Sequence, residues 1–160
     1  PLNVARFIRE YAGERFGFDA REAGQFQRAL MLSSHPAPSP ANLSAELKNA
    51  QAARRILGRL SPRKGRSEFE HCRLIADLLE HHLRFTILQD SLQAPDCPRA
   101  RFSAVRRKLP RLLAAAHALN KRFRKLNSRN LHAAELQEEC EYKLKAIRAL
   151  QQRLERDGRR

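Results

Sequence analysis

At 160 residues the chain is long enough for one domain with a real core and short for two. Its 32 Lys and Arg against 17 Asp and Glu leave a net charge of +15, which points to polyanionic partners. With 42 % hydrophobic residues it is no disordered tail, and no apolar run approaches the ~18 residues of a membrane span.

Near the N-terminus, Val4, Phe7, Ile8 and Tyr11 make a short apolar stripe at helical spacing. Asp19 with Glu22 has capping-box spacing and opens a second helix carrying Ala23, Phe26 and Leu30. Prolines 36, 38 and 40 then forbid helix over Ser33 to Pro40, which reads as a linker. Leu43, Leu47, Ala50, Leu57 and Leu60 predict a helix over 41–60, followed by a basic turn from Ser61 to Ser67. Ser67 with Glu70 is a second capping box, ahead of a helix over 68–93. That helix is apolar over a wide arc (Phe69, Cys72, Ile75, Leu78, Leu79, Leu83, Ile87) and is expected to be central. Ala94 to Pro98 is the next stop.

The following segment has the cleanest pattern. Phe102, Val105, Leu109, Leu112, Ala116, Leu119, Phe123 and Leu126 recur at three- and four-residue steps. Pro110 is expected to kink this helix or restart it. After a turn at Asn127 to Asn130, Ala133, Leu136, Cys140, Leu144, Ile147, Leu150 and Leu154 predict a last helix over 131–156. The expected fold is all-α, a single domain over 1–160. Four long helices over 41–157 form an antiparallel bundle, a helical pair over 1–32 packs across it, and 33–40 links the two.

Charge is distributed unevenly along these elements. Between Asp96 and Glu135 there is no acidic residue, while Arg99, Arg101, Arg106, Arg107, Lys108, Arg111, Lys121, Arg122, Arg124, Lys125 and Arg129 fall in the same stretch. Solvated helix faces usually mix signs, because like charges repel, so a long one-sign stretch fits a phosphate backbone. Only seven of the basic residues are Lys, and Arg is the better bidentate phosphate ligand. If the last two helices are antiparallel, Arg153 and Arg156 reinforce the end at Arg101 to Arg111. Arg63, Lys64 and Arg66 are expected to reinforce the end at Lys121 to Arg129. Pairing of Lys121 to Lys125 with Glu135, Glu138, Glu139 and Glu141 would weaken that second pole.

The chemistry of a catalytic site is missing from the pattern. There is no phosphate-binding glycine loop, no nucleophile elbow and no H-E-x-x-H. His71, Asp77, Glu80, His81 and His82 share one helix without metal-ligand spacing, and His117 is expected to be a partly buried packing residue. Cys72, Cys97 and Cys140 are an odd set without C-x-x-C, expected to be reduced thiols in a cytoplasmic or other intracellular compartment. Cys72 and Cys140 are expected to be buried. A start at Pro1 leaves a trimmed targeting segment open. The expectation is a non-catalytic protein with no metal or cofactor, which binds DNA or RNA through its phosphates as an accessory or subunit of a nucleoprotein complex. The alternative is a helical adaptor docking an acidic protein partner.

Overall fold

A computed structural model describes residues 3–33, 41–93 and 98–157, and all regular structure among them is helical. The six helices are α1 (Val4–Phe16), α2 (Ala20–Ser33), α3 (Leu43–Arg59), α4 (Arg66–Asp90), α5 (Arg99–Asn127) and α6 (Ala133–Asp157). Most of the expected linker at Ser33 to Pro40, and Cys97, lie outside the described residues.

The helices group into two compact units, Pro1–Glu80 and His81–Arg160, where the sequence pattern predicts one domain. The boundary falls inside α4, and the buried residues of this helix divide between two cores. Phe69 and Ala76 join the first core, whereas Phe85 and Leu88 join the second. Ile75, expected within the apolar arc of this helix, is 62 % exposed.

In the first unit, α1 and α2 form a hairpin whose turn is set by Gly17 in the left-handed region (φ 68°). The expected capping box at α2 is present: the Asp19 amide donates to Glu22 Oε2 (3.0 Å), and the Glu22 amide donates to Asp19 Oδ1 (2.8 Å). Phe16, Phe18, Phe26 and Phe69 pack as a four-ring cluster, every pair with centroids 5.2 to 6.2 Å apart. Such packing contributes beyond simple area burial, because ring edges meet ring faces. The helical pair thus supplies the centre of this core rather than a layer laid across it. The expected N-terminal stripe needs correction. The covered column of α1 is Ile8, Ala12 and Phe16, while Val4, Phe7 and Tyr11 are exposed. Ala12 carries no strong periodic signal, and the large side chains at 4, 7 and 11 draw the expected stripe one face round.

The turn from Ser61 to Ser67 is fastened to the end of α1. The Arg63 and Lys64 amides donate to the Phe16 carbonyl (2.9 and 3.1 Å), and Gly65 adopts φ 53°. A Cβ at Gly65 would lie 2.8 Å from the Arg15 carbonyl oxygen, so only glycine fits without backbone movement. This bracket also changes the start of α4. The helix begins at Arg66, with the Phe69 amide donating to the Gly65 carbonyl, and Ser67 lies inside the first turn instead of capping it.

In the second unit, α5 and α6 form an antiparallel hairpin. Asn120 Nδ2 donates to the Cys140 carbonyl (2.9 Å), which fixes the register. Val105, Leu109, Leu112 and Ala116 then share a core with Leu144, Ile147, Leu150 and Leu154. Phe85 and Leu88 of α4, with Leu92 in the turn that follows it, close this core, and His81 Nε2 lies 3.0 Å from the Leu112 carbonyl oxygen. Pro110 does not interrupt α5, which runs through it for 29 residues. It lies on the exposed side, where the helix carbonyl it leaves without a donor can be hydrated.

Candidate nucleic-acid interface

The segregation of apolar and basic residues on α5 creates the candidate surface. Its buried column is Val105, Leu109, Leu112, Ala116 and Asn120. The opposite column is Arg107, Arg111, Ala114, Ala118, Lys121 and Lys125, again at three- and four-residue steps and exposed throughout. Arg106 and Arg124 flank this column on one side and Lys108 on the other, all exposed. Arg129, also exposed, follows in the turn that closes the helix. At a rise of 1.5 Å per residue, Arg107 and Lys125 are about 27 Å apart along the axis.

Two groups of cations stand on this face. Arg106, Arg107, Lys108 and Arg111 form the first; Lys121, Arg124, Lys125 and Arg129 form the second. Among the described residues, no ion pair involves any of these eight. Arg106 and Arg124 are separated by five full turns, as are Arg107 and Lys125, so both groups point the same way. Between them the outward surface carries Ala114, Ala115 and Ala118 with His117. His117 is exposed, not partly buried as expected, since it lies about 100° round the helix from the buried Ala116.

The remaining candidate residues divide clearly. Arg101 is exposed at the start of α5, and Arg99, beside it, has a partner of its own. Arg122 is half-buried and engaged. The hairpin register places Arg153 and Arg156 level with the N-terminal part of α5, both exposed, with Arg153 also engaged. Glu135, Glu138 and Glu139 come level with the second cation group and are exposed, so they lower its potential without pairing with it.

Arg63, Lys64 and Arg66 belong to the other unit, and Arg63 is spoken for. Its Nη1 donates to the Gly17 carbonyl and to Glu22 Oε2, both at 2.5 Å. Lys64 and Arg66 are exposed. Other arginines of that unit are bound into the fold as well. Arg54 bridges Asp77 (2.6 Å) and the buried Glu80 (3.2 Å); burial works against its charge, and the two carboxylates outweigh it, raising its pKa. Arg73 donates to the carbonyls of Leu57, Gly58 and Leu60. Sequence spacing gave no hint of these ties, because each depends on a tertiary neighbour.

Asp77, which shares a helix with His81, is therefore held by Arg54, and His81 meets the Leu112 carbonyl. Among the described residues no group of three or more His, Cys, Asp or Glu is placed to hold a metal ion. No described helix is long and apolar enough to cross a membrane. Cys140 is buried; Cys72 is partly buried, and that burial pushes its thiol pKa up, away from reactivity. Searches against protein-family models, curated proteins and solved structures find no match to this chain.

Proposed function

We propose that this protein is a non-catalytic nucleic-acid-binding protein that grips the phosphate backbone through α5. The observation that carries this reading is the set of eight exposed cations on one helix and its closing turn, none ion-paired among the described residues. Unpaired like charges on one helix repel one another and weaken it. A phosphate backbone relieves that repulsion and releases counterions, which makes the arrangement favourable in a complex. The same surface supports an accessory or subunit role in a nucleoprotein complex.

The test is the salt dependence of binding, measured by fluorescence anisotropy on a labelled nucleic acid. With ~5–8 phosphates neutralised, log K should fall against log[salt] with a slope of roughly −4 to −7. A slope near zero would remove the reading.

A second reading, docking of a protein partner, rests on a separate observation. Val4, Phe7 and Tyr11 expose an apolar face on α1, with Phe7 58 % exposed and stacked 6.4 Å from Tyr11. Absence of nucleic-acid binding at 50 mM salt would favour it.

A further inference from the structure

The two cation groups on α5 are separated by a span without charge, and that gap bears on the form of nucleic acid. From Arg111 to Lys121 is about 15 Å along the axis, and the outward residues between are Ala114, Ala115, His117 and Ala118. A single strand following this face would leave its phosphates unneutralised across the gap. A duplex presents phosphates differently, as two ridges with a groove between them. The major groove of B-DNA is about 12 Å wide, and A-form RNA has a wide, shallow minor groove. Either fits a helix that crosses a groove with one cation group on each ridge.

The surroundings agree. Single-strand binding draws much of its affinity from bases stacked on exposed aromatic rings. The outward face of α5 has none: Phe102 and Phe123 are half-buried, and Phe102 packs against the hairpin core. Among the described residues of this unit the exposed aromatic is Tyr142, 77 % exposed on α6. It stands among Glu138, Glu139 and Glu141, which repel phosphate. The alanines in the gap also let the helix come close to a groove while offering no amide or guanidinium to base edges.

We infer that the ligand of α5 is a nucleic-acid duplex, bound without regard to sequence across one groove, with Arg106, Arg107, Lys108 and Arg111 on one phosphate ridge and Lys121, Arg124, Lys125 and Arg129 on the other. This rests on the phosphate-binding reading above.

The experiment titrates the full chain into four labelled probes at one salt concentration. They are a 20-base-pair DNA duplex, the matching RNA duplex, and one single strand of each. At least one duplex is expected to bind ten-fold or more tighter than its own single strand, and a scrambled duplex to bind equally well. Tighter binding of the DNA duplex assigns the B-form groove, and of the RNA duplex the A-form groove; equal binding assigns the paired ridges common to both. Reversal at either group, Arg107→Glu with Arg111→Glu or Lys121→Glu with Lys125→Glu, should weaken duplex binding at least ten-fold with helicity unchanged by circular dichroism. Single strands that bind as tightly as duplexes would overturn the inference and leave phosphate binding standing. Loss at one group only would also overturn it. Failure of all four probes to bind would instead remove the phosphate-binding reading itself.

Discussion

Arg73 shows how much of this chain's positive charge works inward. The last carbonyls of a helix have no intrahelical donor and carry the negative end of its dipole. At the end of α3, Arg73 reaches those of Leu57 (3.1 Å), Gly58 (3.2 Å) and Leu60 (3.0 Å), while its guanidinium lies 5.1 Å from the centre of the Phe69 ring. A flat guanidinium can serve all these at once; an ammonium cannot. Arg73→Ala is expected to cost about 2–3 kcal/mol, because charged hydrogen bonds to three helix-end carbonyls are lost, although the Leu60 amide (3.4 Å) still serves that of Leu57. Arg73→Lys should recover less than half of that. Urea titration followed by circular dichroism measures both, and a loss below about 1 kcal/mol for alanine would mean that water serves the carbonyls equally well. None of this was legible from spacing. In sequence Arg73 is one of two cations in an acidic block, and the carbonyls it meets lie 13 to 16 positions away.

At the level of elements, what was legible depended on how sharply apolar and charged residues separate. All six helices were visible, and α5 was clearest because Val105, Leu109, Leu112 and Ala116 alternate with Arg and Lys. Near its end the apolar stripe and the core part company. Leu119, Phe123 and Leu126 are half-buried, and the fully buried column continues through Asn120, a polar residue at 5 % exposure. The signal was present in the step from Ala116 to Asn120, but periodicity read from apolar residues alone passes over a buried amide. Asn120 Nδ2 is satisfied by the Cys140 carbonyl, whereas Oδ1 has no protein partner. Such a group costs stability and specifies register, as single buried polar residues do in coiled coils. Asn120→Leu is therefore expected to hold stability or raise it by up to about 2 kcal/mol, while loosening the pairing of α5 with α6. Asn120→Asp, which buries a charge, should cost more than about 3 kcal/mol at neutral pH. Thermal unfolding reads both, and hydrogen exchange along α5 and α6 reads the register. A clear loss of stability in Asn120→Leu would show that the amide is a net tie.

Over the whole molecule, the +15 net charge is a poor guide to where a polyanion would sit, because the two units use their cations differently. In the first unit, Arg6, Arg15, Arg54, Arg63 and Arg73 are each paired with a carboxylate. The basic turn at Ser61 to Ser67 reads in sequence as part of a binding surface, yet Arg63 and Gly65 there hold the end of α1. In the second unit the cations on the outward side of α5 have no such duty. A matched pair of charge reversals separates site from net charge. Lys48→Glu with Arg55→Glu alters two exposed α3 residues, and Arg107→Glu with Arg111→Glu alters two on α5. Both lower the net charge equally. If binding followed overall charge, the two variants would lose affinity alike. At physiological ionic strength, however, the Debye length is about 8 Å, so a charge far from the phosphates contributes little. The α5 variant is expected to lose at least ten-fold in affinity and to flatten the salt slope by about two, one unit for each lost phosphate contact. The α3 variant should change affinity less than three-fold and leave the slope intact. Equal losses in the two variants would show that binding responds to the field of the whole chain, and the assignment of the interface to α5 would fail.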